Sequence, residues 1–148
     1  KNTPMTNWSG YAHRVRFSEV DPQSIVFNSR YLEFFDAASI EFFRFFGYPP
    51  DLMQSAGLEP VLVEVNLRYH RSAQLDQIIH ISITCSRLGN SSFDLDFEAR
   101  IQDPESSSLG TDLVTSAKIT YVNVDQVTRE SVPIPIAFRE FLATTIPE

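Results

Sequence analysis

Apolar and polar residues alternate along five segments of this chain, and that period is typical of strands with one buried face. The segments cover residues 11–17, 59–69, 79–85, 93–101 and 113–122. On the first, one face holds Tyr11, His13, Val15 and Phe17; on the second, one face holds Val61, Val63, Val65, Leu67 and Tyr69. The pattern predicts five strands, the last of which is apolar on both faces near its end and suits an interior position.

The segment 30–46 breaks this alternation and follows a helical period. Its apolar residues recur at spacings of three and four: Tyr31, Phe34, Phe35, Ala38, Phe42, Phe45 and Phe46. Gly47, Pro49 and Pro50 end the predicted helix. Seven of the twelve phenylalanines lie between residues 27 and 46, so we expect the helix to be enclosed by the sheet or by a partner subunit.

The order of the elements predicts the fold class. One strand, one long helix and four strands with short connections indicate an α+β fold, in which an antiparallel sheet of about five strands wraps around the helix. Leu88-Gly89-Asn90-Ser91 supplies the turn that joins the third and fourth strands as a hairpin. Shorter helices are predicted at residues 51–56 and 135–143. We expect residues 1–148 to form one domain, with residues 1–9 as a loose tail.

Composition narrows the classes of partner. The formal net charge is -7 and no Lys/Arg cluster is present, so neither nucleic acid nor membrane is expected as a partner. No apolar run reaches the roughly 18 residues that span a bilayer, and a signal-peptide pattern is lacking, so we expect a cytoplasmic protein. The single cysteine, Cys85, is expected in the core of a protein from a reducing compartment. His13, His70 and His80 follow no metal-ligand spacing, and no metal is predicted.

One carboxylate stands between the first strand and the aromatic helix. Asp21 lies in the run Phe17-Ser18-Glu19-Val20-Asp21-Pro22, shortly before the helix begins. The first N–H groups of a helix have no intrahelical partner and carry about half a positive charge, which suits an oxygen that becomes negative during attack on a carbonyl. Asp-Pro is also a common turn, so these residues alone leave open a turn without chemistry.

The chain resembles the 4-hydroxybenzoyl-coenzyme A thioesterase family and related acyl-CoA thioesterases of the hotdog fold. The resemblance lies in this run, in Ile25-Val26-Phe27 and in Tyr31-Leu32-Glu33-Phe34-Phe35-Asp36-Ala37-Ala38, with weaker similarity in Val65-Asn66-Leu67-Arg68-Tyr69, the hairpin turn and Val122-Asn123-Val124-Asp125. It implies hydrolysis of an acyl- or aroyl-CoA to an acid and coenzyme A by a homodimer or homotetramer. No cofactor is implied, because coenzyme A is part of the substrate.

The resemblance also implies roles for single residues. Asp21 would be the catalytic carboxylate, as a nucleophile or as a general base on water. The backbone N–H of Asn28, with a neighbour such as Phe27 or Ser29, would receive the thioester oxygen. The candidates for the acyl site are Phe27, Tyr31, Phe34 and Ser24, with core packing as the alternative for the three aromatic residues. The candidates for binding coenzyme A are Arg87, Asn90, Ser91 and Ser92 in the hairpin.

Two positions depart from the family pattern. Ser24 stands where a glycine is usual, and glycine there permits close approach of the backbone. Ser24 is therefore expected to narrow the pocket or to contact substrate. Asn28 stands where relatives more often have an aromatic residue or histidine, but a backbone role does not depend on its side chain.

Other functions remain open from the sequence. A module that binds acyl-CoA or an acyl carrier protein would keep the fold without turnover, and Ser24 together with the few phosphate-binding cations motivates it. A dehydratase acting on an enoyl or hydroxyacyl thioester would need a histidine, and none lies in the Asp21 motif. A purely structural dimer would have no open pocket beside Asp21. Glu33 and Glu41 on the helix are alternative acids, and the acyl group itself is not predicted.

Overall fold

The computed structural model of the protein describes residues 8–102 and 109–148. Its strands are β1 (Tyr11–Arg14), β2 (Pro60–Tyr69), β3 (Ile78–Leu88), β4 (Ser92–Gln102) and β5 (Leu109–Asn123). Its α-helices are α1 (Arg30–Phe45), α2 (Pro50–Met53) and α3 (Ile136–Thr144), and a 3₁₀ turn covers Phe17–Glu19. The long helix and the strands after it lie within a few residues of their predicted positions. Among the described residues, no helix is long and apolar enough to cross a bilayer.

The five strands form one antiparallel sheet in the order β1-β3-β4-β5-β2. β3 and β4 form the predicted hairpin, with Leu88 opposite Phe93 near its tip. β5 pairs with β4 on one side and with β2 on the other, so it is an interior strand, whereas β2 and the short β1 are the edges. The predicted α+β class and antiparallel sheet are confirmed.

The aromatic face of α1 lies against one face of the sheet. Phe35 of the helix contacts Phe97 of β4, with ring centroids 5.0 Å apart. The buried residues of α1 are Tyr31, Phe34, Phe35, Ala38, Ser39, Phe42 and Phe43. Burial of each large apolar side chain contributes about 1.5–3 kcal/mol, so apolar packing holds the helix on the sheet.

A cluster of rings joins the C-terminal end of α1 to α3. Phe46 stacks on Phe141 with centroids 4.3 Å apart. Phe138 is fully buried, and its ring lies 5.5 Å from that of Phe43 and 5.8 Å from that of Phe93. α3 therefore covers the end of the core that lies farthest from the start of α1.

The N-terminal segment packs against the rest of the protein from residue 8, although the predicted tail extends to residue 9. The Trp8 ring packs edge-on against Phe42, with centroids 5.2 Å apart, and the Ser9 carbonyl lies 2.6 Å from Nε2 of His80. Residues 8 and 9 thus belong to the packed structure, because contacts distant in sequence hold them. Residues 1–7 of the predicted tail lie outside the described residues.

β1 is shorter than its alternation predicts. The Glu19 carboxylate accepts the Arg16 N–H at 2.8 Å, and the Glu19 N–H donates to the Arg16 carbonyl at 3.0 Å. These bonds turn the chain into the 3₁₀ turn before the strand can continue. Phe17 consequently points away from the core and is 82% exposed, so its predicted place on the buried face is wrong.

β2 contains a bulge that its sequence does not reveal. Leu62 pairs with Tyr121 and Glu64 pairs with Thr120, which leaves Val63 as an extra residue, 55% exposed. An extra residue exchanges the two faces of a strand, so Val61 lies on the opposite face from its predicted one. The prediction of one shared apolar face is therefore wrong at the N-terminal end of β2.

Candidate active site

A tight loop carries Asp21 from the 3₁₀ turn to the start of α1. The Asp21 N–H donates to the Ile25 carbonyl at 2.9 Å, and the Ser24 N–H donates to the Asp21 carbonyl at 2.8 Å. The Ser24 carbonyl in turn accepts the Leu75 N–H at 3.1 Å. The backbone around Asp21 is therefore fixed both within the loop and to the segment that precedes β3.

Ser24 keeps the loop in a conformation that favours glycine. Its φ is 65°, in the left-handed region, where a side chain costs about 1–2 kcal/mol relative to the ordinary region. This position is the one where the sequence departs from the glycine usual in the family. The serine therefore adopts a backbone conformation that glycine adopts at lower cost.

The two oxygens of the Asp21 carboxylate differ in their surroundings. Oδ1 accepts the Gln23 N–H at 2.8 Å, which is the bond of an Asx turn. Oδ2 has no hydrogen-bond partner within residues 8–102 and 109–148. Oδ1 thus has the role that a turn without chemistry would give it. Oδ2 is able to attack a carbon or accept a proton.

Open N–H groups lie just before α1. The Phe27 N–H donates to the Glu19 carbonyl at 3.0 Å, so Phe27 is not available as the donor suggested from sequence. The N–H groups of Asn28 and Ser29 have no acceptor in the described part of the chain. Both residues are exposed, so water or a substrate oxygen can reach them. The Arg30 N–H is already engaged, because it donates to the Phe27 carbonyl at 2.9 Å.

The predicted acyl-site aromatics divide into two groups. Phe27 is 49% exposed beside the open N–H groups, whereas Tyr31 and Phe34 are buried and pack edge to face with centroids 5.7 Å apart. Burial raises the pKa of the Tyr31 hydroxyl, which therefore remains protonated at neutral pH. Tyr31 and Phe34 thus lie in the core behind the loop, and only Phe27 presents its ring to solvent.

A cavity of about 690 Å³ lies along β1, the strand that precedes the Asp21 loop. It is lined by β1, by the residues that lead to the exposed Phe17, and by Leu75 and Asp76. Leu75 is the residue whose N–H bonds the Ser24 carbonyl, so the cavity wall and the loop share a backbone contact. Asp21 itself is not among the residues that line this cavity.

The hairpin residues predicted to bind coenzyme A lie at the other end of the sheet. The Asp21 loop contacts the segment before β3, whereas Arg87, Asn90, Ser91 and Ser92 lie at or beyond the end of β3. A strand from Ile78 to Leu88 is about 33 Å long. One chain therefore does not bring these residues together with Asp21.

Arg87 is also engaged in an ion pair. Its Nε donates to Oδ2 of Asp94 at 3.0 Å and its Nη2 donates to Oδ1 at 3.1 Å. Burial raises the pKa of Asp94, but hydrogen bonds from Arg87 and Thr120 outweigh it and hold that pKa below its usual value. Arg87 thus compensates a buried carboxylate, which reduces its availability to a phosphate.

Sequence reasoning missed the contacts that two residues make beside the loop. Nε2 of His13 lies 2.8 Å from Oε1 of Glu19, and the His13 ring lies over Phe34 at 4.4 Å. The hydroxyl of Tyr69 donates to the Asn28 carbonyl at 2.9 Å. His13 and Tyr69 both stood in the predicted strand patterns, but only the tertiary structure shows what they touch.

The other candidate groups have structural surroundings. Glu33 pairs with Arg30 at 3.1 Å and Glu41 pairs with Arg44 at 3.4 Å on the exposed side of α1, as expected for solvated helix charges. Cys85 is fully buried, which confirms its predicted place in the core, and burial raises its thiol pKa to about 11. Across the two described segments, no group of three or more His, Cys, Asp or Glu side chains could hold a metal ion.

Comparison with known proteins shows the family to which this chain belongs. The profile of the thioesterase-like superfamily matches residues 15–142. A curated protein of Aquifex aeolicus (strain VF5), inferred to be an esterase, is 34% identical over 83 residues, or 56% of this chain. That alignment spans 65% of the relative, which is less than two thirds of its length.

Solved structures agree with the fold. A hypothetical protein of Aquifex aeolicus superposes with a TM-score of 0.76 and 28% identity, covering 89% of this chain and 97% of that one. A mutant of 4-hydroxybenzoyl-CoA thioesterase in complex with 4-hydroxybenzoyl-CoA superposes with a TM-score of 0.77 and 22% identity, covering 89% and 96%. At that identity, the second likeness shows the hotdog fold alone. With the superfamily profile spanning most of the chain and the fold in agreement, the protein belongs to the thioesterase-like superfamily and has the hotdog fold.

Proposed function

We propose that the protein hydrolyses an acyl-CoA thioester to a carboxylic acid and free coenzyme A. The observation that carries the proposal is the geometry of Asp21 and the start of α1. One carboxylate oxygen is fixed by the Gln23 N–H, and the other has no partner in the described residues. The loop then leads directly to the open N–H groups of Asn28 and Ser29. A carboxylate and an oxyanion site are the two groups that thioester hydrolysis needs.

Two routes use the same residues. As a nucleophile, the free oxygen of Asp21 bonds to the thioester carbon, the C–S bond breaks, and coenzyme A leaves as a thiolate that takes a proton from solvent. Water then cleaves the mixed anhydride and regenerates the carboxylate. As a general base, Asp21 takes a proton from a water that attacks the same carbon. In either route the carbonyl oxygen becomes negative, and the N–H of Asn28, with that of Ser29, stabilises it.

The surroundings of the loop support binding of an apolar acyl group. Phe27 is 49% exposed and Phe17 is 82% exposed, although burial of either ring away from water would lower the free energy. The cavity of about 690 Å³ is lined by Phe17, and Leu75 in its wall bonds to the Ser24 carbonyl of the loop. We propose that Phe27 and the Ser24 turn contact the acyl group, while Tyr31 and Phe34 support the loop from behind.

We further propose that the site is completed by a second copy of the chain. β2 is a ten-residue edge strand, and its Leu62 and Val63 are 49% and 55% exposed. An edge of this length with apolar side chains favours pairing with another strand. Antiparallel pairing of two β2 strands about a two-fold axis reverses the direction of the partner's sheet. The partner's hairpin end, with its Arg87 to Ser92 segment, then lies at the same end as Asp21.

The test is release of free thiol from a panel of benzoyl, 4-hydroxybenzoyl, acetyl and palmitoyl-CoA. Wild type is compared with Asp21→Asn, because asparagine keeps an oxygen that can accept the Gln23 N–H and so preserves the turn. We expect wild type to release thiol from at least one member of the panel. The variant should lose at least about a hundredfold in kcat.

Asp51→Asn is the matched control, because Asp51 is an exposed carboxylate in the first turn of α2. It should retain the wild-type rate. Binding of an acyl-CoA without thiol release by wild type would favour the binding module instead. Equal rates in wild type and Asp21→Asn would remove Asp21 from the chemistry.

The anhydride route is tested by a single turnover in ¹⁸O-labelled water with enzyme in excess. Appearance of the label in the Asp21 carboxylate would establish the anhydride route. Label in the product acid, with none in Asp21, would exclude attack of water on the aspartyl carbon of an anhydride and leave the general-base route or attack at the acyl carbon.

A further inference from the structure

We infer that Tyr69 is a positioning residue for the oxyanion site, an inference that rests on the proposed thioesterase function. The Tyr69 hydroxyl donates to the Asn28 carbonyl at 2.9 Å. Asn28 is the residue whose own N–H is open, and its carbonyl belongs to the peptide unit that carries the open N–H of Ser29. The bond therefore joins the end of β2 to the group that would receive the substrate oxygen.

Peptide planarity connects the carbonyl to the donor. In a trans peptide the C=O and the following N–H lie in one plane and point in opposite directions. A hydrogen bond that fixes the Asn28 carbonyl therefore fixes the direction of the Ser29 N–H. The bond also polarises the peptide unit, which strengthens its N–H as a donor.

The neighbouring peptide is held differently. The open N–H of Asn28 belongs to the unit whose carbonyl, that of Phe27, accepts the Arg30 N–H at 2.9 Å. That bond closes a backbone turn immediately before α1. The orientation of the next unit depends on one side chain from a distant strand. Tyr69 is thus the contact through which the sheet sets the geometry of the oxyanion site.

Tyr69 has the support that such a role needs. It is the last residue of β2 and pairs with Thr115 of β5. Its ring packs edge-on against Tyr31, with centroids 5.9 Å apart. Removal of the hydroxyl keeps the whole ring, and the residue is 53% exposed in the single chain. Tyr69→Phe therefore removes the bond and little else.

The size of the effect follows from the role. Removal of one oxyanion donor lowers kcat by about 10²–10³, and a donor that is loosened but still present should cost less, about tenfold. KM should stay within about twofold, because the bond acts on the charge that develops in the transition state. The thermal midpoint should shift by no more than about 4 °C, since one exposed hydrogen bond is lost.

The experiment measures kcat, KM and thermal midpoint for wild type, Tyr69→Phe and Tyr48→Phe. The substrate is whichever panel member wild type hydrolyses fastest. Tyr48→Phe makes the same chemical change in the ring cluster near Phe138, whose ring lies 5.0 Å away, at the far end of α1. It should leave kcat unchanged.

An infrared measurement separates positioning from a purely structural role. The ¹³C-carbonyl form of the same acyl-CoA is bound to Asp21→Asn and to the double variant Asp21→Asn/Tyr69→Phe, so that the thioester stays intact. Loss of the Tyr69 bond should move the carbonyl stretch to higher wavenumber, because the donor is less well aligned.

Each outcome has a separate meaning. A lower kcat with unchanged KM and a shifted carbonyl band supports the inference. Thiol release at the wild-type rate by Tyr69→Phe overturns it while leaving the proposed function intact. An unshifted band with lowered thermal stability assigns Tyr69 to the fold only. Absence of thiol release by wild type overturns both proposals.

Discussion

The two ends of α1 show different surroundings. At the C-terminal end, Phe46 stacks on Phe141 and Phe138 is fully buried, so the apolar rings pack against one another. At the N-terminal end, Phe27 is half-exposed and the Asn28 N–H has no acceptor among the described residues. Local departures from the packing rules concentrate where a protein binds or reacts. The comparison supports the proposal that the C-terminal end serves folding and the N-terminal end serves function.

The largest expected effect on stability comes from the C-terminal end. Phe138→Ala removes a fully buried ring and should lower the free energy of unfolding by about 3–5 kcal/mol. Phe17→Ala makes the same change at an 82% exposed position beside the cavity and should change it by less than about 0.5 kcal/mol. Urea unfolding followed by circular dichroism measures both. Similar losses in the two variants would contradict the division.

A smaller effect is expected at the Arg87–Asp94 pair, because Asp94 is 8% exposed. Arg87→Ala should lower the free energy of unfolding at pH 7 by about 1–3 kcal/mol, since it leaves a buried carboxylate with fewer partners. Arg14→Ala removes an exposed pair with Asp76, whose side chains are 56% and 78% exposed. That control should lose no more than about 1 kcal/mol.

The same pair predicts a pH dependence. The folded pKa of Asp94 lies below its usual value, so its stabilisation is complete above the unfolded pKa of about 3.9 and is lost as pH falls through the folded pKa. In Arg87→Ala, burial without the arginine raises that pKa. The stability difference between wild type and variant should therefore be largest near neutral pH and shrink below about pH 4. A difference that grows in acid would be opposite to this prediction.

The proposed contact with the partner's hairpin predicts a change in KM. Asn90→Ala leaves the backbone carbonyl that accepts the Ile134 N–H at 2.9 Å. Loss of one side-chain hydrogen bond to the nucleotide should raise KM for the acyl-CoA by about three- to tenfold. KM for the matching acyl-pantetheine, which lacks the nucleotide, should not change. An equal rise for both substrates would place Asn90 away from the nucleotide.

The smallest effect is expected at Ser24. Ser24→Gly removes a side chain at φ 65° but makes the unfolded chain more flexible, so a net gain in stability below about 1 kcal/mol is expected. Thermal unfolding measures it, and kcat should stay within about twofold. Ser82→Gly in β3 is the control and should be destabilising, because glycine weakens a strand. A large loss of kcat in Ser24→Gly would indicate a contact between the hydroxyl and substrate.

Local patterns predicted most of the fold. The hairpin of β3 and β4 and the helix α1 follow from period and turn residues, which are properties of adjacent positions. The predicted end of β1 was wrong because the Glu19 carboxylate accepts a hydrogen bond from the Arg16 N–H. The prediction of the face on which Val61 lies was wrong because the alternation of residues does not reveal a bulge.

The candidate site was predictable only in part. Asp21 and Asn28 could be named because the motif is contiguous and resembles a known family. The bond from Tyr69 to Asn28 could not, because it joins residues from β2 and the start of α1. The hairpin residues were named from the resemblance, but one chain places them at the opposite end of the sheet, and that separation is a property of the topology.

The most direct test of the account is to ask whether Asp21→Asn binds a substrate that it does not hydrolyse. The variant is incubated with the fastest panel substrate, binding is measured by equilibrium dialysis, and the bound molecule is identified by mass spectrometry. The account predicts that the molecule bound to Asp21→Asn is intact acyl-CoA. Its Kd should be close to the Kd that Asp51→Asn shows for the same substrate in its first turnover. Free coenzyme A formed at the wild-type rate would contradict the assignment of Asp21 as the catalytic carboxylate.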